Sequence, residues 1–210
     1  MKADIGKSAI IVVDMQNDFF KPGGYFARRP EFKDFLESFR QLVSIAIPNI
    51  KRLTQRAKAA GRPVVYIQHV LREDYADACF PYWRCVPDCI EEKFLVEGTW
   101  GAQIIDELKP EVGDMVITKK GYGAFTNTPL DIYLRNLDVT TCIMTGVGTS
   151  VCVETTTRQG ADLNYYMIVV RDATGDAKVA HEASLNAIGP FFGDVMTSDG
   201  VIGLLENLKY

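Results

Sequence analysis

Asp14, Lys119 and Cys152 are the residues whose types and settings could do covalent chemistry together. Asp14 closes the apolar run 9–13, and Lys119 closes the run 115–118. Cys152 follows the β-rich run 140–144 through the turn Thr145-Gly146-Val147-Gly148-Thr149-Ser150-Val151. The residues after that turn have helical spacing, which puts Cys152 in the first turn of a helix. Backbone N–H groups there lack intrahelical partners, and the helix dipole adds positive potential, so thiolate is favoured over thiol. Taken singly, each residue also has a plain structural reading. A free cysteine often packs as a small hydrophobe, an aspartate after a strand often caps a loop, and a lysine there is commonly solvated. Together they supply a proton acceptor, a fixed cation and a nucleophile. In that chemistry the carboxylate takes the thiol proton and the ammonium steadies the anions. The sulfur attacks a carbonyl, and water then releases the acyl group.

The elements that must position these side chains follow from periodicity. Apolar runs at 9–13, 63–68, 115–118, 140–145 and 167–170 predict strands buried on both faces, and 194–196 a short sixth. Helical patterns fall between them. From 31 to 60, Ile47, Ile50, Leu53, Ala57 and Ala60 recur at helical spacing, and Gly61 supplies the stop. Shorter helices are expected at 101–108, at 128–136 with Thr128 as cap and Pro129 as first residue, after the glycine turn, at 178–188 and from 198. Strands alternating with helices predict βαβ units. The fold class is α/β, a three-layer α/β/α, Rossmann-like arrangement with a mostly parallel sheet of about six strands, in one domain over 1–210. Ligands in such sheets sit beyond the carboxyl ends of the strands, where Asp14, Lys119 and Cys152 all fall. The irregular stretch 69–97, rich in aromatics and holding Cys79, Cys85 and Cys89, reads as a lid or binding loop.

Composition narrows the class. Of 210 residues 47% are hydrophobic and 24% charged, as in ordinary globular proteins. The net charge of −4, with both signs dispersed, argues against a nucleic-acid or membrane partner. The first apolar run is too short for a signal peptide or a membrane span, and five cysteines make no disulfide framework, so a cytoplasmic protein with reduced thiols is expected. Cys79, Cys85 and Cys89 lack the paired spacing of a zinc site, and His69 and His181 read as structural. Gly146 and Gly148 suggest a dinucleotide fingerprint, but Val151 stands where its third glycine belongs.

Four stretches carry a resemblance: Ile11-Val12-Val13-Asp14-Met15-Gln16-Asn17-Asp18-Phe19, Gly98-Thr99-Trp100-Gly101-Ala102, Lys119-Lys120-Gly121-Tyr122-Gly123-Ala124-Phe125, and 145–158. In this order they resemble the isochorismatase-like cysteine hydrolases, which include nicotinamidase and the N-carbamoylsarcosine and ureidoacrylate amidohydrolases. The resemblance implies Asp14 as base, Lys119 (rather than Lys120) as cation and Cys152 as nucleophile. It also implies a non-proline cis peptide at Val147–Gly148, which would aim the N–H of Gly148, with that of Cys152, at an oxyanion. An ordinary glycine-rich turn is the plainer reading of those residues.

The expected substrate is a small amide, ureide or carbamoyl compound, with water. Phe19, Tyr25, Trp83, Trp100, Tyr122 and Val147 are candidates for the pocket wall. No cofactor is expected and no metal, because Gln68-His69-Val70-Leu71-Arg72 stands where nicotinamidases carry an Asp-x-His motif. Relatives suggest a homo-oligomer, a dimer or tetramer. The rival of a different class is a catalytically silent binding or scaffold protein on the same fold.

Overall fold

A computed structural model describes residues 2–79, 86 and 88–208. Trp83 and Cys85 lie outside the described residues. Among the described residues six parallel strands form the sheet: β1 (Ser8–Val13), β2 (Val64–His69), β3 (Met115–Lys119), β4 (Thr141–Val147), β5 (Tyr166–Gly175) and β6 (Asp194–Met196). Their order is β3-β2-β1-β4-β5-β6. The order reverses between β1 and β4, which opens a crevice at their carboxyl ends.

Among the described residues six α-helices accompany the sheet: α1 (Asn17–Phe20), α2 (Lys33–Ala59), α3 (Leu130–Asn136), α4 (Glu154–Asp162), α5 (Lys178–Phe191) and α6 (Ser198–Glu206). Alternate residues of each strand point to opposite faces. Ile10, Val12, Tyr66, Ile143 and Ile168 therefore pack with α2 and α6, and Ile11, Val13, Ile67, Met144 and Val169 with α3 and α5. Both faces are covered, which is why β1 and β4 are buried along their whole length and read as continuous apolar runs.

Two expectations are corrected. Residues 101–108 do not form one helix, and only Asp106–Leu108 makes a short 3₁₀ turn. The preceding backbone is engaged by the loop after β1. Asp18 N donates to Gly101 O (2.9 Å), Asn17 N to Gln103 O (3.1 Å), and Ile105 N to Met15 O (2.9 Å). Glycine is required at 101 because a Cβ would lie 2.2 Å from the Asp18 carboxyl group. Strand β5 does not end near 170 either. After a register shift it pairs Thr174 with Gly146 and Gly175 with Val147, carrying the strand on to Gly175.

The described part of 69–97 builds a small core of its own. Tyr75, Cys89, Phe94 and Leu95 pack against Tyr25 from the loop after β1. Asp18 stitches the two segments, accepting from Tyr25 N (3.0 Å) and Leu95 N (2.9 Å).

Candidate active site

Strand ends bring the three expected residues together. Asp14 follows β1 with a positive φ of 51°, a conformation uncommon outside glycine, and its side chain is fully buried. Gln16 fixes that corner, accepting from His69 N (2.8 Å) and donating to His69 O (2.9 Å) and Ala102 O (2.7 Å). Lys119 ends β3, where its register partner is His69. Its fully buried Nζ lies 2.8 Å from Asp14 Oδ2 and 3.3 Å from Cys152 Sγ, and donates to Gly121 O at 2.9 Å.

Cys152 lies in a π-helical turn, Thr149–Val153, that precedes α4. That turn lets β4 change direction within a few residues. Gly146 has a φ of 106°, and a Cβ there would come within 2.0 Å of Val13 O, so β1 and β4 approach closely only because it is glycine. The next peptide, Val147–Gly148, is cis. Asp176, just past β5, holds the far side of the turn. Its Oδ2 accepts from Ser150 N (2.8 Å) and Ser150 Oγ (2.7 Å), and its Oδ1 from Ala177 N (2.8 Å). From α5, His181 Nδ1 lies 2.9 Å from Thr149 Oγ1, and Ser184 Oγ donates to Thr149 O (3.2 Å).

Burial decides the proton affinities. Burial raises the pKa of Asp14, with Lys119 and Cys152 pulling it partly back. Burial would lower that of Lys119, but Asp14 and Cys152 outweigh it and hold the lysine as an ammonium. The expected low-pKa thiol is corrected. Burial and then Asp14 push the Cys152 pKa up, against the pull of Lys119, so the resting group is a thiol. His69, buried beside the site, has its pKa driven well below the ordinary 6.5 by burial and by Lys119, and is neutral.

A cavity of about 500 Å³ has Cys152 in its lining. Phe19 and Tyr122 line it, as expected. Tyr25 does not: it is fully buried in the loop core, its ring 4.5 Å from that of Phe94. Trp100 stands apart and is half exposed, and Val147 is enclosed in the core between sheet and α2. Apart from Gly148 and Cys152, sequence reasoning missed the other lining residues. His69 was legible as the end of β2 at the same sheet edge. Asp176 was hidden because it lies past the true end of β5. Phe35 and Phe39, one turn apart on α2, cannot be told from core residues by spacing.

Metal-ligating atoms also converge. The donor atoms of Asp14, His69 and Cys152 all lie within 4.8 Å of one another, and all three residues are buried. The Lys119 ammonium sits in contact with two of those donors, where a metal cation would have to go.

A buried cysteine beside an Asp–Lys pair at the switch point of a parallel α/β sheet is an arrangement suited to nucleophilic chemistry at the sulfur. Sequence comparison makes the assignment specific: residues 8–200 match the isochorismatase domain, and the chain belongs to the isochorismatase family. A cysteine hydrolase from Pseudomonas syringae pv. phaseolicola 1448A is 30% identical, with TM-score 0.85 over 98% of this chain and 95% of that one. An isochorismatase-like hydrolase from Alkaliphilus metalliredigens is also 30% identical, with TM-score 0.76 over 94% and 98%. N-carbamoylsarcosine amidase from Thermoplasma acidophilum is 26% identical, with TM-score 0.74 over 92% and 97%.

Proposed function

We propose that the protein is a metal-independent cysteine hydrolase that cleaves a C–N bond of a small amide, ureide or carbamoyl compound through a thioester on Cys152. The observation that carries this reading is the Lys119 ammonium, in contact with both the Asp14 carboxylate and the Cys152 sulfur. Asp14 takes the Sγ proton as sulfur bonds to the substrate carbonyl carbon. The backbone N–H groups of Gly148 and Cys152 are the proposed donors to the oxyanion. As the C–N bond breaks, the protonated Asp14 returns its proton to the leaving nitrogen. Water then attacks the thioester while Asp14 accepts a proton, and Asp14 passes that proton to the departing sulfur.

The raised Asp14 pKa suits this cycle, because an acid–base group works best when its proton affinity is near that of its surroundings at working pH. Similarity to an N-carbamoylsarcosine amidase supports C–N cleavage. Among the described residues no helix is long and apolar enough to cross a membrane. The proposal extends to a homo-oligomer, a dimer or tetramer.

Ammonia release from a panel of amides and ureides tests the reaction, and mass mapping of a trapped acyl-enzyme tests the nucleophile. An acyl group on Cys152, with turnover abolished in Cys152→Ser, is the expected result. Ammonia release that survives Cys152→Ala would overturn the assignment.

A further inference from the structure

The cavity over Cys152 has two unlike walls. One is aromatic and continuous: ring centroids step from Phe94 to Phe26 (5.5 Å), to Phe35 (5.9 Å), to Phe39 (5.3 Å). The rest of the lining includes the turn that carries Cys152, with Ala177 and Ala180 at the start of α5. Small side chains there leave a slot, which Cys152 also lines.

The slot's charge is as informative as its shape. Among the described residues, no lysine or arginine side chain lines the cavity. Lys119 lies behind the sulfur and is already paired with Asp14. Among the described residues, the arginines near the aromatic wall are engaged elsewhere: Arg28 with Glu92 (2.8 Å), Arg29 with Asp88 (3.1 Å), and Arg40 with Phe20 O (2.8 Å). The acid lining the slot is Asp176, whose three hydrogen bonds come from the protein itself. Among the described residues, a substrate carboxylate in this slot would lose its water without meeting a cation, and would face the Asp176 carboxylate. A flat apolar group would instead exchange water for ring contacts.

We infer that the substrate is an uncharged amide or ureide whose hydrophobic, ring-bearing group fills the slot between the phenylalanine wall and Ala177/Ala180, and that carboxylate-bearing amides are excluded. This rests on the hydrolase reading above, so its test includes a measurement that needs no turnover. Rates would be compared for 3-phenylpropionamide, its para-carboxylate analogue and propionamide, by ammonia release. The expected kcat/KM for 3-phenylpropionamide exceeds each of the others by at least about tenfold, the discrimination an apolar pocket gives for missing apolar bulk or an unpaired charge. Phe35→Arg, at a partly exposed position on the slot, is expected to raise the carboxylate analogue's kcat/KM relative to the parent. Ala180→Phe is expected to lower the rate for 3-phenylpropionamide about tenfold more than for propionamide.

Turnover confined to the carboxylate analogue, with 3-phenylpropionamide inert, would overturn the inference while leaving the hydrolase reading intact. If no amide is turned over and Cys152 is never acylated, it is the hydrolase reading that fails. Calorimetric binding to the Cys152→Ser protein then decides the slot on its own. Tighter binding of the uncharged amide supports the inference. Equal or tighter binding of the carboxylate analogue, or no binding of either, overturns it.

Discussion

Lys119→Met is the substitution that best separates a working ion pair from a decorative one. The methionine keeps most of the side-chain volume and deletes a charge lying 2.8 Å from Asp14 Oδ2 and 3.3 Å from Cys152 Sγ. Both partners of the ion pair are fully buried. Removing one member of such a pair leaves an uncompensated buried charge, at a cost of roughly 3–5 kcal/mol. The protein escapes that cost by protonating Asp14. The carboxyl group's proton affinity should rise by up to the factor those energies represent, about 10² to 10⁴. A protonated Asp14 cannot take the thiol proton, and the ammonium that faces the sulfur is gone as well.

The expected result is a loss of at least about a thousandfold in kcat/KM near neutral pH, with an acid limb displaced to higher pH. Lys120→Met is the control. Lys120 is a partly exposed residue bound to Asp77 (2.7 Å) and Val70 O (2.7 Å), worth about 1 kcal/mol or less as an ion pair. Urea unfolding gives a second readout: Lys119→Met should be clearly destabilised, and Lys119→Met with Asp14→Asn should recover much of the loss while staying inactive. Equal losses of activity from both lysine substitutions, or a Lys119→Met pH profile identical to the parent's, would refute the reasoning.

Other outcomes follow from the same geometry. Burial raises the Asp14 pKa, and the reaction needs its carboxylate, so kcat/KM should fall as pH drops through a value above the ordinary 3.8. His69 is held neutral well below 6.5 and should add no limb there; a wild-type inflection near 6.5 that vanishes in His69→Gln would contradict this. Prolonged EDTA treatment should leave turnover unchanged, and activity lost to chelator and restored by a divalent metal would reassign Asp14, His69 and Cys152 as ligands. Asp176→Ala strips the acceptor from Ser150 N and Ala177 N, so the nucleophile turn should loosen and kcat fall on the order of a hundredfold, with Asp176→Asn recovering part of it. Loss of stability with unchanged kcat would make Asp176 purely structural.

That Asp14, Lys119 and Cys152 come together was legible because each ends, or lies just beyond, a strand that shows as an apolar run, and a parallel sheet brings its carboxyl ends to one edge. What the sequence hid is settled by distant partners. Residues 101–105 have helical spacing, yet Asp18, Asn17 and Met15 claim their backbone groups. The end of β5 depends on a register shift against β4, so Asp176 could not be placed beside the turn it holds. Tyr25 and Trp100 were candidates for the pocket wall by loop position. One turned into the loop core and the other toward solvent, because ring direction is set by packing that local sequence does not encode.

The thiol's proton affinity shows most clearly how a local rule is overruled. The start of a helix favours a thiolate, but at this depth net charge matters more than the helix dipole. With Asp14 ionised, Lys119 charged and Cys152 a thiol, the buried group of three is neutral overall. A simple thiolate would leave it with a net negative charge away from water, and burial resists that. Moving the proton from Sγ to Asp14 keeps the sum at zero, so the sulfur becomes anionic without the site doing so. The ammonium is therefore required in both states, facing the carboxylate before the transfer and the sulfur after it. A divalent metal placed among the same donors would break that balance, because it would add two charges beside the buried lysine. In the proposed reaction the buried lysine supplies the positive charge, and Asp14 takes the proton that the buried thiol keeps at rest.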